Sequence, residues 1–186
     1  MLRILSSIGV VLILAADVGA GRQSAFEDAS VMMPFQRAAD SYAFARRQLE
    51  RRLALGEAGP AAIADAVQKW RGAAGEGEFF TPIVAAAFRQ RLQIAMKGAG
   101  CGRPERADLT HVVPRINRDA GNAPSVNACI AAILPHLPLE LDYRMTGVVL
   151  VLVDTQSNLV LDVLHAAFPA TDDGSGPIVP RTSGRY

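Results

Sequence analysis

Apolar residues recur at steps of three and four along the first half of the chain, and this spacing predicts amphipathic helices. The first predicted helix covers residues 31–55 and carries charged side chains on the face opposite its apolar stripe. A break follows, and Pro60 is suited to the first turn of a second, short helix. Trp70 lies on the apolar side of that helix, so the pattern places it in the core.

Two more helices are predicted before the pattern changes. The third begins at Thr81-Pro82, because threonine can cap a helix and proline can open one, and it ends at Gly98. A segment rich in Gly, Pro, Arg and Asn follows, with one extended candidate at residues 109–116. A fourth helix is predicted over residues 125–134, and its period turns Cys129 inward.

The period then becomes that of strands. Three strands are predicted over residues 141–145, 148–153 and 159–164, and turn residues join them into a meander. The predicted fold class is therefore α+β, in which N-terminal helices pack with a small C-terminal three-stranded antiparallel sheet.

The central predicted strand is apolar at every position, which is typical of a strand covered on both faces. We expect the helices to cover one face and a loop or a partner to cover the other. If the second face is open, Val149, Val151 and Leu152 form a candidate docking surface.

The N-terminal residues have the pattern of a bacterial signal peptide. Arg3 precedes an apolar run at residues 4–16, and residues 18–20 have the small-x-small pattern that signal peptidase reads. The run is shorter than the roughly 20 residues of a membrane-spanning helix, although a retained anchor is the alternative. The expected organisation is a signal peptide at residues 1–20, one domain at 21–169 and a disordered tail at 170–186.

Composition narrows the range of partners. The chain has 19 basic and 18 acidic residues, and its formal net charge is +1. This balance gives no broad attraction to nucleic acid or to an anionic membrane. We therefore predict no nucleic-acid partner and no integral membrane span after signal cleavage, and the oligomeric state stays open.

The chain has two cysteines, Cys101 and Cys129. An even number in an exported chain predicts a disulfide bond between them. The alternative is a reactive thiol beside His111 or His136, an arrangement typical of a Cys-His hydrolase.

Motifs that carry chemistry are missing from the sequence. It has no nucleophile elbow, no zinc-binding helix, no redox pair of cysteines and no phosphate-binding loop. Asp154 suits the capping of a turn, and Asp162 is expected to pair with Arg144. The histidines lack the spacing of metal ligands: His111, His136 and His165. We therefore predict no catalytic residue, no metal ligand and no cofactor.

Two segments carry a family resemblance. One is Gly77-Glu78-Phe79-Phe80-Thr81-Pro82, followed by Ala85-Ala86-Ala87-Phe88-Arg89. The other runs from Leu134-Pro135-His136-Leu137-Pro138 through Tyr143-Arg144 to Asn158-Leu159-Val160-Leu161-Asp162. Together they resemble a family of uncharacterised exported bacterial proteins, whose members share a Phe-Thr-Pro helix start and a closing hairpin. The resemblance implies an exported protein and supplies no activity. Residues 143–163 alone are also similar to the end of periplasmic proteins involved in nickel and cobalt homeostasis.

The leading hypothesis is a non-enzymatic exported protein, periplasmic or secreted, that acts through binding or structural contacts. An envelope protein is a candidate partner. The first alternative is a periplasmic metal-homeostasis protein, because of the hairpin similarity, and the second is a Cys-His hydrolase. Metal titration would separate the first alternative from the leading hypothesis, and a count of free thiols would separate the second.

Overall fold

A computed structural model describes residues 18–54, 59–98, 101 and 114–168 of the chain, with side chains from residue 30 onward except at residues 54, 60 and 98. Within these ranges the chain forms helices followed by a sheet, which confirms the predicted α+β class. The expected signal sequence up to residue 17, the expected tail at 170–186 and His111 lie outside the described residues. No helix in the described ranges is both long and apolar enough to cross a membrane.

Helix α1 spans Val18–Ala54 and so begins well before residue 31, where the periodicity predicted its start. Pro34, which favours the first turn of a helix, lies in its interior. The buried face of α1 follows the predicted period and comprises Met32, Phe35, Ala39, Tyr42, Ala43 and Arg46. Arg46 is the one charged residue on this face, and its partners are described below.

Helices α2 (Pro60–Trp70) and α3 (Pro82–Gly98) begin and end close to the predicted positions. By contrast, helix α4 covers only Ala128–Ala131, although residues 125–134 were predicted to be helical. The prediction was wrong because the chain just before α4 pairs with the sheet: Val126 N–H donates to the Tyr143 carbonyl at 3.0 Å. The Asn127 side chain then caps α4 by accepting from Ile130 N–H at 2.8 Å.

The sheet consists of β1 (Leu141–Thr146), β2 (Val149–Asp154) and β3 (Val160–Leu164). The strands are antiparallel and lie in the order β1-β2-β3, which confirms the predicted meander. Gly147 adopts a φ of 60° in the turn between β1 and β2, a conformation that favours glycine. Leu152 lies opposite Tyr143 on β1 and Asp162 on β3.

Both faces of the sheet are covered within the chain. Leu150, Leu152 and Leu161 belong to the main core with α1 and α3. The second face carries a smaller cluster of buried valines, Val151, Val153, Val160 and Val163, against which Ile116 and Ala120 pack. The loop at residues 114–120 therefore covers this face, and its Asn117 N–H donates to the Val160 carbonyl at 2.8 Å.

This packing corrects the candidate docking surface. Val151 and Leu152 are fully buried on opposite faces of β2, and Val149 is half-buried against the valine cluster. An open valine face needs accessible side chains, and these three residues do not supply it. The alternative that a loop covers the second face agrees with the structure.

A disulfide bond joins Cys101 and Cys129, whose Cα atoms are 5.6 Å apart, and the predicted pairing is confirmed. Cys101 is buried in the main core, whereas Cys129 is exposed. The expectation that Cys129 points inward was wrong, because the short helix α4 turns Ile130 toward the core instead.

Candidate functional site

A cleft of about 510 Å³ opens at the C-terminal end of α2. Trp70, the chain's only tryptophan, forms one wall and is 48% exposed. We call this cleft the Trp70 cleft, and its lining residues are Trp70, Arg71, Ala73, Ala74, Gly75, Glu76, Gly77 and Glu78. The prediction that Trp70 belongs to the core was wrong, because Trp70 is the last residue of α2 and lies where the apolar side of that helix reaches the surface.

Trp70 rests on Tyr42 of α1. The two rings stack with their centroids 5.5 Å apart and an angle of 25° between their planes. The Tyr42 hydroxyl donates to Oδ2 of Asp154 at 2.7 Å, and Nε of Arg46 donates to the same oxygen at 2.9 Å. Because both members of the Arg46–Asp154 pair are 1% exposed, the support beneath Trp70 is fixed by buried polar contacts.

Asp154 also caps the turn after β2, as predicted. Its Oδ1 accepts from the backbone N–H groups of Gln156 at 3.1 Å and Ser157 at 2.7 Å. Burial, and then the negative charge of Asp154, raise the pKa of Tyr42 above its usual range. Tyr42 therefore keeps its proton and serves as a structural donor, and the Asp154 oxygens are occupied by protein groups.

Arg71 forms the floor of the Trp70 cleft, although its side chain is buried. Its guanidinium carbon lies 5.5 Å from the centroid of the Tyr42 ring and 5.7 Å from that of Phe79. Nη2 donates to Glu78 at 3.0 Å and to the Leu161 carbonyl at 2.9 Å. Arg71 thus joins the cleft to β3, and Glu78 balances its charge.

Asp162 of β3, which is fully buried, binds the backbone of the segment that includes the lining residue Gly77. Its Oδ2 accepts from the backbone N–H groups of Phe79 at 2.7 Å and Phe80 at 2.8 Å. Its Oδ1 accepts from Gly77 at 2.9 Å and from Val163 at 2.8 Å. Gly77 has a φ of 85°, and this turn lets the backbone wrap around a single carboxylate.

A second depression lies beside the cleft, between α1 and α2. Its volume is about 290 Å³, and its lining residues are Phe44, Ala45, Gln48, Leu49, Arg52 and Trp70. Phe44 is 57% exposed. Trp70 therefore borders the polar Trp70 cleft and also this more apolar groove.

No protein-family model, no curated protein and no solved structure matches the chain. The resemblance to exported bacterial proteins, and the similarity of the hairpin to proteins of nickel and cobalt homeostasis, therefore stay predictions. The two segments that carry the family resemblance meet in space, because Asp162 at the end of the second segment accepts hydrogen bonds from the backbone N–H groups of Gly77, Phe79 and Phe80 in the first.

Asp162 itself was assigned the wrong partner. The expected pairing with Arg144 is absent, since Arg144 contacts Asp142 at 3.4 Å and Asn158. Asp162 instead accepts hydrogen bonds from four backbone N–H groups. A sequence pattern does not reveal such contacts between distant segments.

The structure also places the residues considered for metal binding and nucleophilic catalysis. Both cysteines are bonded to each other, so neither provides a free thiol. His136 and His165 are exposed, and His165 Nε2 lies 3.6 Å from Glu76 at the edge of the Trp70 cleft. Among the described residues, no group of three or more His, Cys, Asp or Glu side chains could hold a metal ion.

The sequence pattern did not predict the Trp70 cleft. A signal was present, because Trp70 ends a helix and a glycine-containing segment with Glu76 and Glu78 follows at once. Helix ends and loops carry binding residues more often than helix centres do. The period of α2 favoured the core instead, because periodicity assigns a face to Trp70 without showing where the neighbouring elements stop.

Proposed function

We propose that the protein is an exported, non-enzymatic binding module that accommodates a ligand in the Trp70 cleft. The observation that supports this proposal is a half-exposed tryptophan on a rigid aromatic support. The stack on Tyr42 restricts the indole before any ligand arrives, so binding costs little side-chain entropy. Aromatic side chains of this kind are frequent anchors of binding surfaces.

The size and lining of the cleft agree with a small ligand or one side chain of a larger one. Its volume of about 510 Å³ lies within the range of roughly 300–1,000 Å³ that is usual for ligand sites. The buried carboxylates Asp154 and Asp162 are occupied by hydrogen bonds from the protein. The acidic groups open to a ligand are Glu76 and Glu78, and they suit recognition by charge.

Export is the second part of the proposal. The disulfide between Cys101 and Cys129 supports it, since such bonds persist in oxidising compartments such as the periplasm or the medium. We expect signal cleavage to leave Gly21 as the N-terminus. N-terminal sequencing of protein from envelope fractions checks this, and a sequence that begins at Met1 would contradict it.

The binding proposal can be tested with the protein's own fluorescence. Trp70 is the only tryptophan, so its emission reports on the cleft without a label. Mature protein is titrated with a panel of amines, sugars, carboxylates and short peptides. We expect at least one class to change the emission along a saturating curve, and a panel without any saturating response would contradict the proposal.

A matched pair of variants then locates the response. Calorimetry with the responding compound should show loss of binding in Trp70→Leu. Ile94→Ala is the control, because Ile94 is also exposed but lies on α3, outside the cleft lining. Equal binding by both variants would place the ligand elsewhere.

A further inference from the structure

The charges that face the Trp70 cleft are unbalanced. Its lining contains two carboxylates, Glu76 and Glu78, and one guanidinium, that of Arg71. The side chains of Glu76 and Glu78 are 57% and 48% exposed, respectively, whereas Arg71 is buried. A ligand in the cleft therefore meets negative charge first.

Most of Arg71 is buried and already engaged within the protein. One of its nitrogens donates to Glu78 and to the Leu161 carbonyl, and its plane lies against Tyr42 and Phe79. Its Nε has no hydrogen-bond partner among the described residues, but that atom is itself out of reach of solvent. An anionic ligand would thus meet two exposed carboxylates before it reached the buried guanidinium.

Trp70 provides the second element of recognition. Tyr42 stacks on the indole, and Trp70, which stays 48% exposed, lines the cleft. Tryptophan is the aromatic side chain that attracts cations most strongly, because its ring face carries negative electrostatic potential. An aromatic face next to carboxylates is the combination that binds substituted ammonium groups.

We propose that the Trp70 cleft binds an organic cation, a substituted ammonium group that contacts the indole of Trp70 while Glu76 and Glu78 balance its charge. This inference rests on the proposed function and specifies the ligand class of the same site. The Glu76 carboxylate provides most of the unbalanced charge, because Glu78 already pairs with Arg71. His165 Nε2 lies 3.6 Å from the Glu76 carboxylate at the edge of the cleft.

The test compares two probes of nearly the same shape, choline and its neutral analogue 3,3-dimethylbutan-1-ol. Calorimetry is performed on the mature, oxidised protein at pH 8 and low ionic strength. Choline should bind along a saturating curve, and the neutral analogue should bind about 5- to 30-fold more weakly, which is the range expected of a cation–π contact with partial desolvation. Added salt should weaken the binding of choline more than that of the analogue.

Two charge variants and one aromatic variant complete the design. Glu76→Gln should weaken choline binding about two- to fivefold without changing that of the neutral analogue, as expected for loss of a half-exposed ion pair. Asp65→Asn removes an exposed carboxylate of α2 outside the cleft lining, and should change neither. Trp70→Leu should abolish binding, with circular dichroism as the check on folding.

The outcomes separate the ligand class from the binding function. Equal affinity for choline and the neutral analogue, with both lost in Trp70→Leu, would overturn the cationic class and leave the cleft as a binding site. Saturable binding of a sugar or carboxylate from the panel, with no response to choline, would have the same consequence. Absence of any response to the probes and to the panel would remove the proposed function as well.

Discussion

The Tyr42 hydroxyl donates a 2.7 Å hydrogen bond to Asp154, a residue 112 positions further along the chain. This bond joins α1 to Asp154, the last residue of β2. The ring of the same tyrosine stacks on Trp70. The orientation of an exposed tryptophan is thus linked to a buried carboxylate of the sheet. Loss of the bond should loosen the wall of the Trp70 cleft.

Alkaline pH should destabilise the fold through its buried tyrosines. Burial raises the pKa of Tyr42 and of Tyr143 above their usual value, and the Asp154 charge adds to the effect at Tyr42. Their contribution to stability is complete below about pH 10, and is lost above it as the unfolded chain releases protons that the folded chain keeps. The free energy of unfolding should fall by about 1.4 kcal/mol per pH unit for each such tyrosine.

Urea unfolding between pH 8 and pH 11 measures this slope. Tyr143→Phe should remove the contribution of one tyrosine to the pH dependence of the free energy of unfolding, so that the slope becomes shallower. Tyr42→Phe should have the same effect on the slope and should also lose the hydrogen bond to Asp154. Lysine side chains titrate in the same way in the wild-type protein and in both variants, so their contribution cancels when the slopes are compared. A slope that is identical in the wild-type protein and both variants would contradict the prediction.

Asp162→Asn should destabilise the protein severely. An amide provides one acceptor oxygen and no charge where four backbone N–H groups now meet a carboxylate. We expect a loss of about 3 kcal/mol or more, because buried donors without a partner are costly. Urea unfolding is the measurement, and Asp65→Asn, at an exposed site on α2, should stay within about 0.5 kcal/mol of the wild-type protein.

The disulfide should contribute a moderate part of the stability. Cys101 and Cys129 are 28 positions apart, and closure of such a loop stabilises the fold by about 3.5 kcal/mol in the chain-entropy model. Protein denatured without reductant should show no alkylatable thiol in mass spectrometry. Comparison of oxidised and reduced wild-type protein in urea isolates the cross-link, and two alkylated thiols in the unreduced sample would contradict the pairing.

Substitutions in β2 should affect stability from both faces of the sheet. Leu152→Ala should cost about 2–5 kcal/mol, since its side chain is fully buried in the main core. Val151→Ser should also be destabilising, because the loop at residues 114–120 covers the opposite face. Val149→Ser should cost less, because Val149 is half-buried. A melting temperature unchanged by Val151→Ser would mean that this face is open.

Local pattern was sufficient to predict α2, α3 and the three strands, but not the start of α1 or the extent of α4. The limits of α3 follow from Thr81-Pro82 and Gly98, and the three strands follow from an extended period broken by Gly147 and by Asp154. These features depend on residues close in sequence. The start of α1 was missed because the apolar period that predicted this helix begins only at residue 31, whereas the helix begins at Val18.

Contacts between segments that are distant in the chain could not be predicted from the sequence. Arg46 occupies a position of the apolar stripe on α1, but only the fold shows that Asp154 neutralises it. The loop that covers Val151 was likewise predicted only as one of two alternatives. The Trp70 cleft also depends on contacts between distant segments. Trp70 stacks on Tyr42 of α1, and Arg71 donates to the Leu161 carbonyl of β3.

Direct evidence on whether Trp70 is the ligand contact comes from its indole N–H resonance in a ¹H–¹⁵N correlation spectrum. The chain has one tryptophan, so this signal needs no assignment by mutation. During a choline titration the indole signal and the backbone amides of residues 71–78 should shift along one saturating curve, with the dissociation constant found by calorimetry. Saturable shifts confined to another surface, such as that around Ile94 on α3, with the indole signal unmoved, would contradict the assignment of the Trp70 cleft as the binding site.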